Sequence, residues 1–363
     1  MKLSESLREN RLPINNPFLL GQGEAEQKFL SSFFSKRIPH AWLLTGPKGI
    51  GKATFAHRIA RFVLTNTFVL HEEDGLFSSN LDLDKKATNL NHDINDPICR
   101  RIISGGHPDF LHITRTLDEK SGKIKQQITV DEIRKINSFL SLTPSEGGWR
   151  IIVIDSIDDF NTNSSNAILK VLEEPPLNTL ILLICHNSMS VLETIKSRCR
   201  LIKLKLLDED VLVSLLKEYQ INLSMDESRV LSGLSDGSIG KALHLAEGAT
   251  LEVFNQIKAI LNTFPKIDML KVHELGNTIV RDKTGDLFTH VMHFLANWVA
   301  NNVKKSAISD LEDTYPWLDT WDKMGGSLDK LTSLNLDQKQ VLLNTFVLIK
   351  NVNKNSKSVL GQF

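Results

Sequence analysis

The sequence predicts an α/β fold built on a parallel sheet, followed by a wholly helical C-terminal part. Three observations carry this expectation. Short apolar runs alternate with helical patterns through the first two hundred residues. Each run is continuously apolar rather than alternating, as strands covered on both faces are. From Asp208 onward only the helical period remains. A chain of 363 residues also exceeds what one core supports, so two or three domains are expected.

The candidate strands, in order, are Ala41–Thr45 (AWLLT), Asp109–Thr114 (DFLHIT), Arg150–Asp155 (RIIVID), Thr179–Cys185 (TLILLIC) and Arg200–Leu206 (RLIKLKL). Between the second and third, Thr129 and Glu132 have the spacing of a capping box, ahead of Ile133, Ile136, Phe139 and Leu140 at helical intervals. A further helix is predicted from about Ser164 to Glu174, with Ile168, Val171 and Leu172 as its buried stripe. Pro175-Pro176 stops it. His71 to Asp96 breaks the rhythm: seven acidic residues, two lysines and no period, the composition of a mobile insertion. In the helical part Gly237 marks a turn. Leu287, Val291, Phe294, Leu295, Trp298 and Val299 share a face behind Asp286 as candidate cap, and a last helix from about Asp337 carries Val341, Leu342, Thr345, Leu348 and Ile349. Trp317 and Trp321 suit a core or an interface equally.

Composition narrows the function classes. With 43 basic and 43 acidic residues the formal charge is zero, which argues against a protein that binds nucleic acid by bulk attraction. An apolar fraction of 41% argues against wholesale disorder. Cys99, Cys185 and Cys199 are odd in number and far apart, as expected in a reducing compartment rather than of a disulfide framework. No run of about 18 apolar residues suits a bilayer, and MKLSESLRENRL lacks the apolar core of a signal peptide. A soluble, cytoplasmic protein without a membrane partner is expected.

The chemistry concentrates after the first strand, at Gly46-Pro-Lys48-Gly49-Ile-Gly51-Lys52-Ala53-Thr54. This has the G-x-x-x-x-G-K form of a phosphate loop in strand–loop–helix context. Its glycines let backbone N–H groups curl around phosphate oxygens, and Lys52 is placed to reach the outer phosphates. ATP or ADP is the cofactor such a loop suits. The position after the lysine normally supplies a hydroxyl to Mg²⁺, but here it is Ala53, and Thr54 points elsewhere around the helix. Asp155 ends the third strand where a metal-holding acid is expected. Ser156 follows, and a hydroxyl is no general base at pH 7. Asp158 and Asp159 read as turn residues or helix caps. The loop is thus suited to cradling phosphates and poorly equipped to cleave them. No metal-ligand set is assigned.

HAWLLTGPKGIGKATFAHRIA, WRIIVIDSIDDFNTNSSNAILKVLEEPP and TIKSRC together resemble the delta-prime subunit family of the bacterial DNA polymerase III clamp loader, from about Pro13 to Thr250. The resemblance implies an AAA+ α/β domain over residues 1–206, a small helical lid over 207–250 and an all-α collar over 251–363. It implies that Arg198, in Ser197-Arg198-Cys199, is an arginine finger that reaches ATP on a neighbouring motor subunit, a role that suits a planar, permanently charged guanidinium. From spacing alone, Arg198 pairing with an acid near the fifth strand is equally compatible. The sensor 1 region reads Cys185-His186-Asn187. In Gly237-Ser238-Ile239-Gly240-Lys241, Gly240 stands at the sensor 2 arginine position, with Lys241 adjacent and expected to face solvent. Many relatives carry a four-cysteine zinc module where this chain has only Cys99. One thiolate builds no tetrahedral site, and a mixed site with His92, His107 and His112 is not expected, so no zinc is predicted. His107-Pro-Asp-Phe110 is read as entry into the second strand.

The function implied is a delta-prime-type loader subunit without ATPase activity of its own, any polymerase label belonging to the assembly. Its implied partners are gamma or tau motor subunits and a delta subunit, with the sliding clamp and primer–template DNA engaged indirectly. Arg134, Lys135 and Lys36-Arg37 are candidate DNA contacts, or solvated surface residues. The alternatives are an active motor subunit of the same loader, a scaffold with nucleotide permanently lodged, and a free-standing DNA-binding protein.

Overall fold

A computed structural model of the chain describes residues 11–35, 37–66, 89–118, 122–145, 148–221, 223–247, 250–282, 286–309, 314–334 and 337–358. Most of the acidic insertion and Lys36 lie outside the described residues. The chain forms two compact units, Met1–Ala242 and Leu243–Phe363.

The first unit holds α1 (Gly23–Phe34), β1 (Ala41–Thr45), α2 (Lys52–Thr65), α3 (Pro97–Ile103), β2 (Phe110–Thr114), α4 (Val130–Ser141), β3 (Arg150–Asp155), α5 (Thr162–Glu173), β4 (Thr179–Cys185), α6 (Glu193–Lys196) and β5 (Arg200–Lys203). The helices α7 (Glu209–Glu218), α8 (Met225–Leu234) and α9 (Ile239–Glu247) follow, the division between the units falling within α9. The five strands are all parallel, in the order β2-β3-β4-β1-β5. Alternate residues of β1, β3 and β4 enter two separate cores. Trp42, Leu44, Ile151, Val153, Leu180 and Leu182 pack on the side of α1 and α2. Ala41, Leu43, Ile152, Ile154, Ile181 and Leu183 pack on the side of α4 and α5. This two-sided burial is why the strands read as unbroken apolar runs.

Several boundaries differ from the sequence expectation, each for a local reason. Thr129 makes no side-chain capping hydrogen bond: the Glu132 N–H donates to the Thr129 carbonyl at 3.1 Å, and the Glu132 carboxylate turns to Lys135 at 2.6 Å. α5 starts earlier than expected, at Thr162, since the Asn161 side chain accepts from Ser164 N–H and caps it. β5 ends at Lys203, beyond which the Gln22 side chain takes over both Lys205 backbone groups. His107 is buried and accepts from Asp109 N–H, forming the expected entry into β2.

The second unit contains α10 (Thr250–Leu261), α11 (Met269–Val280), α12 (Asp286–Ser309), α13 (Thr314–Leu334) and α14 (Gln338–Ser358). Asp286 is the first helical residue and not a preceding cap; Asp282 accepts the Leu287 N–H instead. Trp317 is buried, its ring centroid 5.5 Å from both Phe264 and Trp298, whereas Trp321 is half exposed.

Candidate functional site

β1 delivers the chain into the Gly46–Gly51 loop, and Lys52 opens α2 immediately after Gly51, whose φ is +99°. Lys52 is buried, and its ammonium donates to the carbonyl oxygens of Gly46 (2.6 Å) and Pro47 (2.5 Å). Burial lowers its pKa from 10.5 to about 8, against the opposing pull of Asp155 and Asp158. Ala53 packs against the core on the α1–α2 side. Thr54 is buried among Phe18, Leu19 and Tyr219, away from the end of β3. Neither Ala53 nor the buried Thr54 therefore supplies the hydroxyl that Mg²⁺ would need beside Lys52.

Asp155 ends β3, and burial raises its carboxyl pKa while His186 and Lys52 act to lower it. Asp158 turns out to clamp the loop after β4. Its carboxylate accepts from the N–H groups of His186 (2.5 Å) and Asn187 (2.8 Å) and from Ser190 Oγ (3.2 Å). Asp159 pairs with Arg115 at 3.3 Å. Neither acid caps the following helix, which Asn161 caps instead, and Asp158 serves a loop nearly thirty residues away.

Ser238 and the start of α9 lie directly on the phosphate loop. Ser238 Oγ donates to Lys48 O at 3.0 Å, and Gly240 N–H donates to Gly49 O at 2.9 Å. A Cβ at Gly49 would stand 2.3 Å from Ser238 Oγ, and one at Gly240 would stand 3.0 Å from Gly49 Cα. Both glycines are required for this approach. Lys241, expected to face solvent, pairs with Asp236 at 2.6 Å and lines a cleft of about 520 Å³ with Lys48. On the other side of the loop, between Phe18–Leu20, Gly51 and Tyr219, only about 20 Å³ remains, room for one water. That space is riveted shut: Asn16 donates to Tyr219 Oη at 2.6 Å, and Arg61 donates to the carbonyls of Ile14 and Asn16.

Arg198 lies at the opposite end of the sheet. It precedes β5 by two residues, and Arg200 is in register with Trp42 near the start of β1, whereas the phosphate loop leaves the other end of β1. Five residues of strand separate the two ends by about 16 Å. Arg198 Nη2 pairs with Glu173 Oε1 at 2.8 Å, and Nη1 donates to Thr194 O at 2.8 Å. The pairing with an acid, open from spacing alone, is present; the acid is at the C-terminus of α5. Arg134 and Lys135 form i,i+3 pairs with Asp131 and Glu132 on the α4 surface. Cys99 is buried in α3, and among the described residues no group of three or more His, Cys, Asp or Glu side chains is placed to hold a metal ion.

Sequence reasoning missed the Asp158 clamp, the Ser238–Lys48 bond and Glu173. Only Asp158 left a trace, as an acid three residues beyond the strand end.

A parallel sheet in the order β2-β3-β4-β1-β5, with a phosphate loop leaving β1 and opening α2, defines an AAA+ module. The sequence matches the family described as "DNA polymerase III, delta subunit" over residues 21–208, and the chain belongs to this family of clamp-loader subunits. It is 31% identical over 235 residues to the DNA polymerase III subunit gamma of Buchnera aphidicola subsp. Schizaphis graminum, covering 64% of this chain and 57% of that one. It is 33% identical over 160 residues to the subunit delta' of Pseudomonas aeruginosa, covering 44% and 41%. The chain thus spans about half the length of these relatives. A solved gamma-subunit-related protein of Thermotoga maritima matches at 16% identity and a TM-score of 0.43, covering 89% of this chain and 99% of its own.

Proposed function

We propose that this chain is a delta-prime-type subunit of the DNA polymerase III clamp loader. It braces the loader ring through its helical lid (207–250) and collar (251–363), and lends Arg198 to the ATP site of a neighbouring gamma or tau subunit. Its phosphate loop suits ATP or ADP, and it hydrolyses none itself. The observation that carries this reading is the placement of Arg198 at the edge of the sheet remote from the chain's own phosphate loop. From there it cannot serve its own loop, and a guanidinium with a third of its side-chain surface exposed is free to meet a phosphate presented by another subunit.

Three features support an idle site within this chain. Ala53 replaces the metal-binding hydroxyl, Ser156 stands where a water-activating acid would be needed, and Gly240 carries no side chain toward the phosphates.

Reconstitution tests the reading. The chain, or its Arg198→Ala variant, is mixed with gamma or tau and delta subunits, and ATPase stimulated by clamp and primed DNA is measured. Arg198→Ala lowers turnover by about tenfold or more with the ring intact. Equal turnover sinks the finger, and failure to form any complex sinks the loader assignment. Single-turnover ATPase of the lone chain tests the idle site, for which no hydrolysis above background is expected.

A further inference from the structure

We propose that Glu173 is a positioning residue for Arg198: it holds the guanidinium in the rotamer in which it meets the neighbouring subunit's phosphate. The inference rests on the finger reading above and adds to it a second residue on a different element.

Glu173 is the last residue of α5, at the negative end of the helix dipole. An acid there is electrostatically misplaced and gains only from a cation brought to it. Arg198 is that cation, with Nη2 at 2.8 Å from Glu173 Oε1. Its other terminal nitrogen is tied to its own short helical turn, Nη1 donating to Thr194 O at 2.8 Å and to Ser197 Oγ at 3.3 Å. The guanidinium is therefore held from two elements, α5 and the turn before β5. A free arginine has many rotamers to lose on meeting a phosphate, and fixing its planar head beforehand removes much of that loss. Because the pair is half exposed, solvent and an arriving phosphate compete for the guanidinium on easy terms. Glu173 thus aims Arg198 without trapping it. The adjacent Glu174 shares the helix end, while the Arg198 ion pair is made by Glu173.

The test is a double-mutant cycle in the reconstituted loader, with clamp- and DNA-stimulated ATPase as readout. Glu173→Gln lowers kcat roughly three- to tenfold and leaves KM for ATP within about twofold, because the effect lies in the transition state. In the Arg198→Ala background the same substitution has no further effect, since Glu173 acts only through Arg198. Glu174→Gln, which removes the same charge from the same helix end, leaves kcat unchanged. Thermal melting of each variant checks that the fold is retained. The proposal is overturned if Glu173→Gln is as active as wild type, or if it costs as much without Arg198 as with it. An Arg198→Ala variant as active as wild type overturns the finger itself and Glu173's role with it, whereas a slow Arg198→Ala beside a fully active Glu173→Gln overturns only the role of Glu173.

Discussion

Replacing Lys52 by Met isolates the cost of burying an ammonium inside the phosphate loop. In the folded chain Lys52 titrates at about 8, in the unfolded chain near 10.5, and burial is the main cause. Below pH 8 both states carry the charge, and the folded state bears the full desolvation penalty. Between pH 8 and 10.5 the folded state sheds its proton while the unfolded state keeps it. The unfolded state then binds more protons, so stability rises with pH through this window. At about 1.4 kcal/mol per unit, a shift of this size amounts to about 3 kcal/mol. Met keeps the unbranched shape and carries no charge, so the contribution vanishes in the variant. Urea unfolding of both proteins at intervals from pH 7 to 10.5 measures it. The stability of wild type relative to Lys52→Met should increase by up to about 3 kcal/mol across that range. Cys99 and Cys199 titrate late in both proteins alike and cancel in the difference, and Cys185, which Lys52 acts on, is replaced by Ala in both. A gap that stays constant with pH would refute the claim that Lys52 is charged and desolvated against the Gly46 and Pro47 carbonyls.

Other sites give independent checks. Gly49→Ala places a methyl 2.3 Å from Ser238 Oγ at a residue whose φ is +81°; chemical denaturation should show a loss of about 2 kcal/mol or more. Asp158→Asn weakens three hydrogen bonds to the loop after β4 and should cost about 1–3 kcal/mol, with faster amide exchange at His186 and Asn187. His57, His92 and His112 are held neutral chiefly by burial, His92 down to about 4. Their unfolded forms take up protons below pH 6.5 while the folded forms do not, so stability is full above that pH and falls as it is lowered, by up to about 1.4 kcal/mol per pH unit for each histidine. His92→Gln should flatten the urea-midpoint profile between pH 6.5 and 4.

The strands were legible because burial on both faces writes an uninterrupted apolar word, as in Thr179–Cys185, which is buried throughout. The phosphate loop was legible because its chemistry needs those glycines and that lysine in fixed order. What escaped reading joins distant positions through single polar bonds. Ser238 meets Lys48, Tyr219 meets Asn16 and Glu173 meets Arg198, and none of these bonds leaves a periodic signal. Thr129 and Glu132 show the opposite failure: the letters of a capping box were present, but Lys135 offered the carboxylate a charged partner on the same helix surface.

The strand order has a consequence for how the chain is made. β1 is the first strand to leave the ribosome, yet its two neighbours in the sheet are β4 and β5, the last two. From Thr45 to Thr179, 134 residues must be added before β1 gains its first partner. At the usual 5–20 residues per second that is roughly 7 to 27 s. Meanwhile Ala41–Leu44 carry both edges of an apolar strand unpaired, whereas β2 and β3 pair with only a short delay. During translation the nucleotide-loop strand is the segment most in need of shielding, and a chaperone that binds extended apolar peptides has its longest opportunity there.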